Sequence, residues 1–270
     1  MDIEDQKIQE WVERFRFYRR PPSPKDIRAW IARFEPDHVE LASKILDNVR
    51  IISEEEIQNG YRASLSDMEG WSREREQRQG RWFFVGFGTA GESGPAMVRT
   101  FREANNMTQQ SWHEFFIDLR ELPQQRLTAY DHVVFIDDFS GSGSQIVKGW
   151  PLIEELVASE AKLFLLLTAI TQDALNDVTE KTEIEVLANT VLPREDNVIS
   201  NDNTHYTDAE KAKLRDYGAI AWPRNPCGYK NCGLLFVLSH KTPNNSLPIL
   251  HANHANWTGL FPRNLLKLEA

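Results

Sequence analysis

Two adjacent aspartates, Asp137 and Asp138, close an apolar run in HVVFIDDFSGSGSQ (132–145), and an alternating serine and glycine segment follows them: Ser140, Gly141, Ser142, Gly143 and Ser144. Glycines free backbone N–H groups to converge and serines add hydroxyl donors, so such a segment at a helix start can wrap a phosphate. Two carboxylates beside that phosphate would repel it. They must therefore face something else: the vicinal hydroxyls of a sugar, or a Mg²⁺ ion bridging to it. Acids for a ribose and amides for its 5′-phosphate together describe a phosphoribosyl group. The plainer alternative is a capped helix start with solvated acids.

A second loop repeats the theme. After WFFVGF (82–87) comes GTAGESGPAMVRTFREAN, in which Thr89, Gly91, Ser93 and Gly94 lead into a helix with Met97, Val98 and Phe101 on one face. This is another place for an anion, although glycine-rich strand-to-helix turns often do no more than turn. Arg194, just past EIEVLANTVL (183–192), stands where ligands of parallel sheets sit and has the charge to neutralise phosphate.

The elements that must position these residues follow from periodicity. WFFVGF, FFIDL (115–119), HVVFIDDF (132–139), AKLFLLLTAI (161–170) and EIEVLANTVL are short, aromatic or β-branched runs separated by helix-like segments. Near-continuous apolar strands alternating with helices predict an α/β fold with a parallel sheet covered on both faces, and its ligands beyond the carboxyl ends of the strands. Before them the pattern is helical. Trp11, Val12 and Phe15 recur at helical spacing, as do Ile27, Trp30, Ile31 and Phe34 after a start signalled by Ser23, Pro24 and Asp26. The expected division is an all-helical extension, residues 1–78, and an α/β domain, residues 79–270.

Composition bounds the rest. The 270 residues carry a net charge of -9, which argues against wrapping duplex DNA by bulk electrostatics but leaves room for a local basic patch. Cys227 and Cys232 are the only cysteines, leaving a zinc site two ligands short unless a histidine such as His240 joins. The start, MDIEDQKIQEW, is charged, and no run approaches the ~20 apolar residues of a membrane span, so a cytoplasmic protein with no membrane partner is expected. P-loop chemistry is excluded because no GK[ST] follows either glycine loop, and a D-x-D phosphotransfer site fails because its second acid would fall on Phe139.

VVFIDDFSGSGS resembles the phosphoribosyl pyrophosphate signature of type I phosphoribosyltransferases, with GTAGESG in the place of that fold's pyrophosphate loop. The departures are Ser140, Ser144 and Gln145, where the family usually has an aliphatic residue, glycine and threonine. The segment ELPQQRLTAYD (121–131) is also short for the hood that closes over many such sites. The C-terminal third, NCGLLFVLSHKTPNNSLPIL followed by NWTGLFPR (256–263), is similar to the ending of the PRTase-CE branch of bacterial conflict systems. The resemblance implies a phosphoribosyltransferase-like core acting on phosphoribosyl pyrophosphate or a nucleotide. Asp137 and Asp138 would then be the catalytic and Mg²⁺-holding pair. It also implies an effector of antiphage defence, in some cases retron-associated. Its N-terminal helices would dock partner proteins such as a reverse transcriptase with its nucleic acid, or a DNA-binding protein. A sensor that binds the sugar without turnover is the alternative. In the C-terminal strings, His240, Asn244, Asn245, Trp257 and Arg263 are expected to shape a base pocket, the amides reading a nucleobase edge and the indole stacking on it; turn chemistry alone is the rival reading.

Overall fold

The computed structural model describes residues 3–88, 93–157 and 160–263. The chain divides into two compact units, Glu55–Leu192 and, joined from both ends of the sequence, Met1–Glu54 with Pro193–Ala270. The boundary expected between residues 78 and 79 falls inside the first of these.

The continuous unit carries the sheet. Helix α4 (Glu54–Asp67) precedes four parallel strands, β2 (Trp82–Gly86), β3 (His132–Ser140), β4 (Lys162–Thr171) and β5 (Glu185–Leu192), in that spatial order, with α5 (Ser93–Ala104), α6 (Ser144–Val157) and α7 (Gln172–Lys181) between them. Alternate residues of the strands supply the two faces. Phe83, Val85, Phe87, Val133, Phe135, Leu165 and Leu167 pack with Ile146, Trp150 and Ile153 of α6 and Ala174 and Val178 of α7. On the other face Phe84 meets Phe101 of α5 with ring centroids 4.9 Å apart, and Phe101 meets Tyr61 of α4. The expected strand at FFIDL is absent as such. That stretch joins two 3₁₀ helices and pairs with the sheet through one isolated parallel bridge, Phe84 to Phe116, on the outer side of β2, while Ile117 and Leu119 pack against the core beneath it.

The chain leaves β2 through α5 on one face, passes the edge at Phe116, and returns to β3 under the face that α6 also covers. Helices leave β2 and β3 on opposite faces, and the general rule for such sheets places the candidate ligand crevice at the carboxyl ends of those two strands.

The discontinuous unit holds α1 (Asp5–Phe15), α2 (Pro24–Ile31), α3 (Val39–Asn48), β1 (Arg50–Ile52), α8 (Asp208–Ala221), β6 (Phe236–Leu238), α9 (Pro248–His251) and a two-stranded hairpin of β7 (Asn253–His254) and β8 (Trp257–Thr258). Helix α2 begins as expected, with a capping box between Ser23 and Asp26 and Pro24 in its first turn. The expected strand GLLFVLSH shortens to β6 and pairs in parallel with β1, not with the four-stranded sheet. Trp11, Phe15 and Trp30 from the beginning of the chain share one apolar core with Leu250, Trp257 and Phe261 from its far end.

Candidate functional site

The crevice between β2 and β3 holds the acidic pair. Strand β3 does not stop at the acids: Asp137 pairs with Leu167, Phe139 with Ala169 and Ser140 with Ile170, because β4 runs on to Thr171 and keeps offering ladder partners. Asp137 and Asp138 therefore sit inside the last turn of pairing, rigidly held, and are only 5% and 3% exposed. Consecutive strand positions turn their side chains to opposite faces.

Each element around the crevice contributes a tie. Asp137 Oδ1 accepts the Ser93 hydroxyl at 2.5 Å and the Asp138 amide at 2.8 Å, hydrogen bonds that compensate a carboxylate removed from water. Ser93, expected to contact phosphate, instead spends its hydroxyl on binding the first loop to the acid. Gly94 has a packing role. A Cβ there would lie 2.0 Å from the Phe87 carbonyl oxygen, so this glycine lets the start of α5 press against the end of β2. Thr89 and Gly91 lie outside the described residues.

From below, the Tyr61 hydroxyl of α4 donates to the Asp137 carbonyl oxygen at 3.1 Å. Burial pushes this phenol far above its ordinary pKa and the Asp138 and Asp137 carboxylates push it further, so it stays a donor. Nothing in the sequence marks Tyr61 except its place on an apolar helix face.

The turn after β3 is short. Gly141, Ser142 and Gly143 are all that separate the strand from α6. The Thr171 hydroxyl donates to the Gly141 carbonyl at 2.9 Å while accepting the Ala174 amide at the start of α7, which couples the turn to the next helix. Gly143 has φ of 65°, the left-handed region glycine enters freely, and its carbonyl accepts the Val147 amide in the first turn of α6. Ser140 is buried, Ser142 and Ser144 are half-buried, and the Ser142 and Ser144 hydroxyls meet at 3.2 Å. The structure thus brings together Asp137, Asp138, Ser93 and the 140–144 turn at the start of a 14-residue helix. Amides and hydroxyls there suit an anion, and the acids beside them suit hydroxyls or a hard cation.

The remaining expected residues belong to the other unit. Arg194 opens a one-turn 3₁₀ helix and is exposed. His240 and Asn244 are half-buried, and the Asn244 carbonyl accepts the Tyr229 amide at 2.7 Å. Two of the base-pocket assignments require correction. Trp257 is 2% exposed, its Nε1–H is spent on the Ile249 carbonyl at 2.9 Å, and its ring packs against Phe34 and Tyr217, so no face is left for a base. Asn245 is buried and its Nδ2 donates to the Tyr229 carbonyl and the Cys232 sulfur, so its amide fastens a turn. Arg263 is half-buried, and its carbonyl accepts from the Arg19 guanidinium at 2.8 Å.

Residues 27–263 match the sequence profile of the PRTase-CE family. The chain belongs to this family. It is a phosphoribosyltransferase-like protein. The match extends over nearly the whole chain, beginning within α2 and including α3 and α4. No curated protein matches the chain.

Proposed function

We propose that the crevice between β2 and β3 binds a phosphoribosyl compound, phosphoribosyl pyrophosphate or a nucleotide, and breaks the bond at its anomeric carbon in the service of antiphage defence. The observation that carries this reading is the pairing of two buried carboxylates, that of Asp137 hydrogen-bonded to Ser93, with a three-residue glycine-serine turn opening α6. Asp137 and Asp138 would take the ribose hydroxyls, and the amides and hydroxyls of the turn would take the 5′-phosphate.

Breaking the anomeric C–O or C–N bond builds positive charge on the ribose ring and negative charge on the leaving group. The carboxylates favour the cationic ring. The bond pair leaves with the pyrophosphate or base, and a base nitrogen or water supplies the new pair and gives up a proton. The donor set fits Mg²⁺, being hard oxygens, and Asp137 and Asp138 would hold the ion through the ribose hydroxyls or water. Bound there, the ion would neutralise the leaving charge.

A specific observation favours hydrolysis or sensing over transfer. Segment 121–131 is tied down at the amino end of β3: Arg81, just before β2, donates to the Gln125 and Arg126 carbonyls and forms a bidentate pair with Asp131. A flap anchored there is held at the end of the strands opposite the acids and does not close over them as a hood. Incubation of the protein with Mg²⁺ and phosphoribosyl pyrophosphate or nucleotides separates the outcomes. Pyrophosphate released only with a base present means transfer, free base with ribose phosphate means hydrolysis, and saturable binding without product means sensing. The double variant Asp137→Asn/Asp138→Asn is expected to lose all three, and to lose protection in a phage-plating assay with matching changes in the nucleotide pool. Unchanged turnover in that variant ends the assignment.

A further inference from the structure

In a chain with a net charge of -9, the connection from the end of α1 to the start of α2 has the opposite character. Residues 14–25, RFRFYRRPPSPK, contain Arg14, Arg16, Arg19, Arg20 and Lys25 and no acid. All five are exposed, as is Phe17 at 45%. Cations at a helix C-terminus complement its dipole, which accounts for one or two of them near Arg14, not for five.

The local contacts leave most of this charge standing. Arg14 donates to the Asp47 and Val49 carbonyls at 2.9 and 3.0 Å, and Arg19 to the Arg263 carbonyl at 2.8 Å. A carbonyl fixes a guanidinium in place without neutralising it, so these two groups are pre-oriented donors. The Asp47 carboxylate is 3.9 Å from Arg14 and is engaged more closely by Lys7 at 2.7 Å. Only Arg16 has a short acidic partner, Glu13 at 2.6 Å, and that pair is largely exposed. Arg20 and Lys25 make no ion pair among the described residues. The Arg16 guanidinium lies 4.7 Å from the centroid of the exposed Phe17 ring, which sets an aromatic face within the cationic strip.

We infer that this α1–α2 connection is a docking surface for single-stranded nucleic acid, its arginines and lysine taking backbone phosphates and Phe17 stacking on an unpaired base. Four of the five cations are arginine, whose planar fork matches phosphate, and the aromatic interleaved with them offers a face on which a splayed base stacks. The surface lies wholly within the discontinuous unit, and the inference is independent of the chemistry proposed for the β2–β3 crevice.

The test is fluorescence polarisation of the full-length protein with a labelled 20-nucleotide oligo-dT across a salt series, with circular dichroism to verify folding. Binding is expected to weaken with salt with a log–log slope of about 3, four phosphate contacts at about 0.7 each. The triple variant Arg16→Glu/Arg20→Glu/Lys25→Glu should lose at least about tenfold in affinity and most of that slope. Phe17→Ala should keep the slope while losing the preference for oligo-dT over a duplex of equal length. The proposal is overturned by absence of binding at low salt, or by binding that the charge reversals leave intact. It is equally overturned if polyglutamate or anionic phosphatidylglycerol vesicles compete as well as the oligonucleotide, since the surface would then read acidity alone.

Discussion

His251 shows how far burial governs a single residue here. Its ring lies in the core of the discontinuous unit, Nε2 is 3.3 Å from the Ser246 carbonyl, and burial, reinforced by the nearby Arg263 charge, pulls its pKa down to about 4. The fold therefore prefers the neutral ring. Its stabilisation is complete above the unfolded value of about 6.5 and drains away as pH falls toward 4, a loss of roughly 3 kcal/mol. Urea titrations at pH 7.5 and pH 4.5 should show that loss in the wild type and a much smaller one in His251→Gln; parallel pH profiles would contradict it. His132, buried against Trp82 at 4.1 Å and also held below its ordinary value by burial, adds in the same direction in both proteins. Asp131 marks the acid limit: burial alone would raise it, but the Arg81 guanidinium and the Thr128 amide and hydroxyl outweigh that and hold it at about 2. At the site, Ser93→Ala removes a charge-assisted bond to Asp137 and should cost ~2 kcal/mol, read by thermal melting, together with affinity for phosphoribosyl pyrophosphate. The acid pair and the turn after it are legible in the sequence because an apolar strand ending in carboxylates and glycines is a local pattern. Tyr61 is not, since a tyrosine on a helix face announces packing whether or not its hydroxyl reaches a neighbouring strand.

The crevice exists because two elements approach closely and two helices diverge. Glycines report which approach matters. Gly94→Ala places a methyl 2.0 Å from the Phe87 carbonyl, a collision with backbone that cannot relax by rotating a side chain, and should destabilise by more than about 2 kcal/mol. Gly149, inside α6, is the contrast: a methyl there would meet only the Phe87 ring at 3.6 Å, an ordinary contact, so Gly149→Ala should stabilise by about 0.5–1 kcal/mol. Chemical denaturation of the two variants checks both signs, and equal effects would mean that the seating of α5 on β2 is not the constraint. The strands were legible from their apolar runs. FFIDL was not correctly legible, since a short aromatic run serves equally as a strand or as the filling under a sheet edge, and only its lack of a long ladder partner decides.

At the scale of the whole molecule, the chain assembles one unit from consecutive residues and the other from its two ends. Glu55–Leu192 has its own sheet and its own apolar core, so expressed alone it should retain a cooperative thermal transition and α/β circular dichroism. A fragment that stays unfolded would show that this core is insufficient. Removal of residues 1–54 should be far more damaging. It takes away Trp11, Phe15 and Trp30, leaving Phe261 without the ring that packs edge-on at 5.1 Å and Trp257 without Phe34, so the expected outcome is insoluble protein, checked by soluble yield and dye binding. A removable regulatory arm would give the opposite result.

The sequence by itself determined the α/β class, the helical beginning, the start of α2 at Ser23 and Pro24, and the acid pair with its glycine-serine turn, because periodicity, caps and turn chemistry are written within a few neighbouring residues. Only the tertiary structure decided that the last 70 or so residues close with the first helices, that Trp257 is a core side chain, that β3 continues past its acids, and that Ser93 binds Asp137. Those outcomes depend on which distant surfaces meet. Burial and register are properties of a pair of segments, and no single stretch of residues carries both members of the pair.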